Sequence, residues 1–296
     1  MAISEGQIIK GVGGLYTVEL TNGEIIRCKA RGKLRVNGGD LFIGDYVEAN
    51  YNDKKEGVIE KVKPRTSQLI RPYVSNIDGI IIVVSPIPEP NFLLIDKLII
   101  GAVAQGIKAI ICVNKPDLDG FTKLVERVKT DYSTLATILE IDALKGKGSD
   151  ELKALVKGKF YALAGQSAVG KSTFINTMIG QEVMETGEIS SHSERGKNTT
   201  RHVEIIKLED GTKIADTCGF DKLMMPVADP AELASYFVDF DEFVPNCKFK
   251  GSCRHVDEDV CGVKDAVNKG LLSKDRYDRY LQLYKESIQR WNKRYD

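Results

Sequence analysis

Residues 165–172 read GQSAVGKS, which fits the phosphate-loop pattern GxxxxGK[ST]. Gly165 and Gly170 permit the backbone conformations that aim N–H groups at phosphate oxygens. The helix expected after the loop adds the positive end of its dipole. Gln166, Ser167, Ala168 and Val169 line the loop, and Thr173 follows it. Lys171 can reach the β- and γ-phosphates, and Ser172 can bind Mg²⁺. A second string, Asn114-Lys115-Pro116-Asp117, fits the guanine-reading pattern NKxD. A carboxylate at Asp117 accepts two hydrogen bonds from the N1–H and 2-amino group of guanine. Adenine offers neither, so such a site discriminates by about 10⁴ or more. Asn114 would tie this loop to the phosphate loop, and Lys115 would lie along the base. Taken alone, NKxD is equally a strand-end turn; paired with a phosphate loop it points to GTP and GDP. The base motif precedes the phosphate loop, the reverse of the ordinary order.

Three further strings belong with these. Asp142-Ala143-Leu144 resembles an SA[KL] loop that supports guanine with a backbone N–H, with Asp142 where Ser is usual. Asp216-Thr217-Cys218-Gly219 fits DxxG after a strand. There Asp216 would hold Mg²⁺ through water, and the Gly219 N–H would sense the γ-phosphate. Thr199 or Thr200, in a polar glycine-containing stretch at 187–202, could complete the Mg²⁺ shell. Phe220 stands where many small GTPases carry a water-positioning Gln, so slow intrinsic turnover is expected, with a partner supplying the missing group.

Cys247-x5-Cys253-x-His255-x5-Cys261 supplies three thiolates and one imidazole. That set suits a closed, structural tetrahedral zinc and leaves no open position for catalysis. Unpaired buried thiols or a redox pair are the alternatives.

The elements that must position these groups are legible. Residues 1–65 are short alternating segments broken by glycines and an Asn22-Gly23 hairpin signal, which reads as a small β-barrel of the OB type. Beyond 63–66 the pattern changes to alternating strands and helices. Apolar runs at 80–85, 108–113, 136–141 and 160–164 alternate with helical stretches at 92–104, 121–132, 149–157 and 171–179. This is a doubly wound α/β domain. Ser149 is the expected N-cap of the third helix. Strands at 203–208 and 212–216 flank a turn at Asp210-Gly211. From Pro226 the chain turns helical. A final helix over 273–291, capped by Ser273, carries Tyr277, Tyr280, Leu281, Tyr284 and Ile288 as its apolar face. The expected units are 1–66, 67–225 and 226–296.

The chain has 296 residues and zero net charge, which excludes a globally basic nucleic-acid binder. A local basic stripe remains. Arg27, Lys29, Arg31, Lys33 and Arg35 recur at every second position, so an extended strand would put all five on one face. The stripe reads either as a solvated edge strand or as an RNA phosphate contact. No stretch has the length and apolarity of a membrane span and no export signal is visible, so a cytoplasmic protein is expected.

The order NKPD, GQSAVGKS, TT, DTCG, with a barrel ahead and a Cys–Cys–His–Cys element behind, resembles the circularly permuted GTPases of the ribosome small subunit-dependent GTPase A family (RsgA, also called YjeQ or YloQ). The resembling strings are IDGIIIVVS, NKPDL, ALAGQSAVGKSTFIN, GKNTTRHVEII, DTCGF and CKFKGSCRHVDEDVC. The resemblance implies an OB domain, a permuted GTPase domain and a zinc domain, with one Zn²⁺ per chain and Mg²⁺ accompanying GTP. It implies a monomer that acts in late assembly of the small ribosomal subunit, docks on its rRNA when GTP is bound, and is released after subunit-stimulated hydrolysis. Asn198 stands where the family carries His, a proposed catalytic residue; Asn198 can hydrogen-bond water but cannot act as a base. An enzyme reading therefore stands beside a second one, a GTP-controlled rRNA-binding placeholder with negligible hydrolysis. A metabolic P-loop kinase explains neither NKPD nor the barrel.

Overall fold

The computed structural model describes residues 2–32, 41–70, 73–180, 203–217 and 229–293. Five strands form the amino-terminal barrel: β1 (Ala2–Val12), β2 (Leu15–Leu20), β3 (Ile25–Ala30), β4 (Tyr46–Tyr51) and β5 (Glu56–Val62). β1 pairs with both β2 and β4, and β3 runs parallel to β5, so the sheet closes on itself. Alternation does the work: Ile26 and Cys28 point inward while Arg27 and Lys29 point out. Ile8, Val18, Val47, Ala49 and Ile59 complete a fully buried barrel core.

A short hairpin, β6 (Gln68–Leu69) with β7 (Val74–Ser75), leads into the second unit. That unit contains β8 (Gly79–Val84), α1 (Phe92–Gln105), β9 (Lys108–Val113), α2 (Phe121–Tyr132), β10 (Thr137–Glu140) and α3 (Ser149–Val156). It continues with β11 (Phe160–Ala164), α4 (Lys171–Ile179), β12 (Val203–Lys207) and β13 (Lys213–Thr217). Strand order is β10-β9-β8-β11-β13-β12, parallel except for β12. β8 and β11 are buried at every position, as continuous apolar runs predict for strands covered on both faces. α3 begins one residue away from expectation. Gly148, in the left-handed region, is the N-cap, and the Ser149 hydroxyl is buried with no partner among the described residues.

The two units share one eleven-stranded sheet, because β12 pairs antiparallel with β1 at Lys10 and Glu204. Three polar contacts reinforce that edge: Lys10 with Glu204 at 2.7 Å, Lys213 with Gln7 at 2.6 Å, and Lys207 with Glu19. Asp45, fully buried, takes both Nε and Nη2 of Arg65 and the Ser75 hydroxyl, pinning the connection between barrel and α/β unit.

The carboxy-terminal unit is a run of 3₁₀ turns from Pro230 to Ser252, then α5 (Gly262–Asn268) and α6 (Lys274–Asn292). Ser273 caps α6 as expected, accepting from the Arg276 N–H. Tyr277, Tyr280, Leu281 and Tyr284 of the expected apolar face pack on the core, Ile288 is exposed, and Arg276, Leu283 and Ser287 join Tyr280 among the fully buried positions. Arg276 turns inward because two carboxylates meet it there. It bonds Asp96 of α1 at 2.6 Å and Asp239 through both Nε and Nη2. Arg279 also reaches Asp96, and bonds Asp131 of α2 at 2.8 Å. Burial opposes the charge on Arg276, but the bonds to Asp239 and the charge of Asp96 outweigh it and drive its pKa up. Ile100 of α1 packs into the same core as Phe237, Phe240 and Tyr280, so α1 is the shared wall.

Candidate active site and metal centre

Parallel strands leave their carboxyl ends at one edge of the sheet, and the sequence motifs gather there. β11 ends at Ala164 and α4 starts at Lys171, so residues 165–170 form the turn between strand and helix. Gly165, Ala168 and Gly170 all have positive φ, at 145°, 63° and 99°. A Cβ on Gly170 would lie 2.3 Å from the Asn114 amide, so no other residue fits there. Ala168 holds the left-handed conformation with a Cβ, which costs about 1–2 kcal/mol. The Lys171 ammonium arches back over the loop to the carbonyls of Gly165 at 2.9 Å and Gln166 at 2.6 Å. Ser172 and Thr173 occupy the first turn of α4 behind it.

β9 delivers Asn114, buried to 2% exposure. Its Nδ2 donates to the Val169 carbonyl of the phosphate loop at 2.9 Å, and its Oδ1 accepts from the Ala143 N–H at 3.0 Å. One side chain thus joins three loops. Lys115, at φ 65°, sends its ammonium to the carbonyls of Ala168 at 2.7 Å and Ile87 at 3.1 Å. Asp117 is exposed at the open end of the motif. Asp142 shapes its loop from within, its Oδ1 accepting from the N–H groups of Leu144 and Lys145, both at 3.1 Å. Leu144 is 82% exposed beside it.

Asp216 sits at the carboxyl end of β13, level with Leu163 of β11 and so next to the phosphate loop. Asn198, Thr199, Thr200, Cys218, Gly219 and Phe220 lie outside the described residues, as do Lys33 and Arg35 of the basic stripe. Of the other stripe residues, Arg27 and Lys29 point outward from β3, and Arg31 follows the end of the strand in a pair with Glu60.

Sequence reasoning missed the segment between β8 and α1. Gln166 accepts from the Asn91 N–H at 2.7 Å and donates to the Glu89 carbonyl at 3.1 Å. Asn91 is itself the N-cap of α1. An Asn before an apolar helix was the available signal; nothing local marked Gln166 as its partner.

The four expected metal ligands come together. All four donor atoms lie within 4.8 Å of one another and all four residues are buried. Sγ of Cys247 is 3.9 Å from that of Cys261, and His255 Nδ1 is 3.7 and 3.3 Å from these two sulfurs. Backbone N–H groups of Gly262 and Lys264 point at Cys247 and Cys261 sulfurs, at 3.2 and 3.5 Å. Burial pushes the Cys253 thiol up to about 12 and holds the His255 ring below its ordinary range. A neutral ring and a packed trio of sulfurs form a cluster that can hold a metal ion. α6 supports it from behind: Tyr277 donates to the His255 carbonyl at 2.7 Å, and Tyr280 to that of Arg254.

Comparison with known proteins covers nearly the whole chain. The model described as RsgA GTPase matches residues 62–226, and that of the RsgA N-terminal domain matches 5–59. A protein of Alkaliphilus metalliredigens named small ribosomal subunit biogenesis GTPase RsgA is 41% identical over 291 residues, covering 96% of this chain and 98% of that one. Its namesake in Clostridium novyi is 42% identical over 286 residues, with 96% and 98% covered. Among solved structures, YjeQ from Thermotoga maritima superposes with a TM-score of 0.77 at 33% identity, covering 97% of this chain and 99% of that one. YloQ, described as a circularly permuted GTPase, gives 0.72 at 30% identity, with 98% and 96% covered.

Proposed function

The chain belongs to the RsgA GTPase family and is a GTP hydrolase, and from that premise we propose that it acts in biogenesis of the small ribosomal subunit. The observation that carries the reading is the pair of hydrogen bonds made by the Asn114 side chain, which ties the base motif, the Ala143 loop and the phosphate loop together.

In this reading the guanine enters beside Asn114. Asp117 accepts from its N1–H and 2-amino group, and the loop of Asp142, Ala143 and Leu144 meets its O6 with a backbone N–H that Asn114 or Asp142 gives up when the base enters. The phosphates replace the carbonyls of Gly165 and Gln166 as partners of Lys171, so the ammonium is already poised where charge develops. Gln166, Ser167, Ala168, Val169, Gly170 and Thr173 complete the cradle. Ser172 and Asp216, with Thr199 or Thr200, would hold Mg²⁺, which neutralises charge on the phosphates. Gly219 would sense the γ-phosphate. Asn198 orients the attacking water only weakly, and Phe220 not at all, so the subunit supplies the activating group.

The cluster of Cys247, Cys253, His255 and Cys261 fits zinc. Zn–S bonds near 2.3 Å in a tetrahedron separate two sulfurs by about 3.8 Å, against 3.9 Å for Cys247 and Cys261. Zinc would staple the carboxy-terminal unit, whose elements between Pro230 and Ser252 are short 3₁₀ turns. The outward Arg27 and Lys29, with Arg31, Lys33 and Arg35, offer phosphate contacts to rRNA. The division of labour follows 1–66, 67–225 and 226–296: RNA contact, nucleotide switch and zinc-stapled docking. No helix among the described residues is long and apolar enough to cross a membrane, and a cytoplasmic monomer is the form in which the protein would meet assembling subunits.

Two measurements test this. Fluorescent GDP should be displaced by GTP and not by ATP. The GTP-loaded protein, held with a non-hydrolysable analogue, should cosediment with small subunits and not with large ones. Displacement by ATP, or cosedimentation indifferent to nucleotide, defeats the reading.

A further inference from the structure

We infer that Thr177 is a positioning residue for guanine binding. It stands on α4, in the helix that begins with Lys171 and Ser172. Its hydroxyl donates to the Ala143 carbonyl at 2.7 Å, and its methyl group faces Gly146, whose added Cβ would meet it at 3.5 Å. The Ala143 residue is therefore held at both of its backbone polar groups, its N–H by Asn114 and its carbonyl by Thr177. Asn114 returns to Val169, and Val169 runs through Gly170 into α4. Three hydrogen bonds and one stretch of chain make a closed ring. The ring fixes the distance between the loop that meets the base and the helix that meets the phosphates.

The hydroxyl has one proton and a second acceptor, the Thr173 carbonyl of its own helix, at 3.0 Å. That carbonyl is one helical turn back and lies where an intrahelical N–H is directed, whereas Ala143 is nearer. The proton belongs with Ala143. Without it, the Ala143 carbonyl loses its bond to the phosphate helix, and the loop that meets the base loses its fixed height above that helix. Lys171, Ser172 and Asp216 are untouched, so the effect falls on nucleotide affinity and not on the chemical step.

This inference rests on the guanine-nucleotide reading above, and its test separates the two. Calorimetry with GDP and GTP analogue, turnover, and nucleotide-free melting are measured for the full chain, Thr177→Val and Thr177→Ser. Valine keeps the shape and loses the donor. It should weaken GDP and the GTP analogue equally, by roughly fivefold, the worth of one such hydrogen bond. Inosine diphosphate, which keeps O6 but lacks the 2-amino group, should show the same loss. Turnover at saturating GTP should not move, nucleotide-free melting should fall slightly with the lost bond, and serine should restore affinity. Unchanged binding by the valine variant, no rescue by serine, or a fall in turnover at saturating GTP overturns the inference. Failure of the unmodified chain to bind GDP overturns the guanine reading itself.

Discussion

Asn114 donates its side-chain amide to the carbonyl of Val169, at 2.9 Å and 55 positions away in the chain. The base motif comes first in sequence and the phosphate loop second, yet the bond makes them neighbours. Both loops leave the carboxyl ends of parallel strands, β9 and β11, with β8 between them. A ligand held at that edge meets the loops in space, so the order in which the chain visits them is immaterial.

Asn114→Ala should cost at least about tenfold in GDP and GTP affinity, because it leaves the Val169 carbonyl and Ala143 N–H buried without partners, at ~1–3 kcal/mol each. Asn114→Asp should fail as well. A carboxylate still accepts from Ala143 but confronts the Val169 carbonyl with negative charge. Calorimetric titration of both variants with GDP checks this; an aspartate variant with full affinity would refute it.

Ala168→Gly should leave nucleotide binding intact and raise stability. Ala168 sits at φ 63°, where a Cβ costs about 1–2 kcal/mol and glycine costs less in strain but more in chain entropy. A net gain of up to ~1 kcal/mol by urea unfolding is expected. A loss would mean that the Cβ makes a contact that outweighs the strain.

Arg276→Met should destabilise the docking of the carboxy-terminal unit by up to about 3 kcal/mol, because Asp239 loses its partner while Asp96 keeps Arg279. Asp96 and Asp239 both bond this arginine, at 2.6 and 2.7 Å. Exchange-protected amides in α6 should open first. Arg276→Met with Asp239→Asn should recover much of the loss, since Asp96 remains paired with Arg279.

Metal removal should show in thiol reactivity. Burial pushes the Cys28 thiol up to about 11 and the Cys112 thiol up to about 12. At pH 8 roughly one in a thousand Cys28 side chains is thiolate, so both resist alkylation while the chain is folded. Chelation should expose Cys247, Cys253 and Cys261 to iodoacetamide and leave Cys28 and Cys112 protected, as read by mass spectrometry. The raised thiol values also set a pH limit. Unfolded thiols ionise near 8.5 and the folded ones later, so this contribution to stability is complete below about pH 8.5 and declines as pH rises toward the folded values. Equal labelling of all cysteines at pH 8 would contradict the account.

Most of this was legible in the sequence, for reasons visible in particular residues. Strands such as 79–84 and 160–164 announce themselves because both faces are covered, and the phosphate and base loops because their chemistry demands fixed spacing. The zinc-type cluster is equally local. What stayed hidden depends on distant partners. Arg276 reads as a solvated charge until Asp96, 180 positions away, turns it inward, which widens the buried face of α6 beyond its apolar stripe. Ser149 has the right type for a cap, but Gly148 already closes the helix with a left-handed turn. Thr177 carries no motif, and the phosphate-loop pattern leaves the Gln166 position open, since their partners lie in loops that only folding brings near.

Activation of this GTP hydrolase by the small ribosomal subunit is tested most directly by GTP turnover of the purified protein, alone and with equimolar small subunits, beside a Lys171→Ala control. Low intrinsic turnover, strong stimulation by the subunit and none in the control are predicted. Tight GTP-dependent binding to the subunit with no stimulation would contradict that activation and leave a nucleotide-controlled placeholder in its stead.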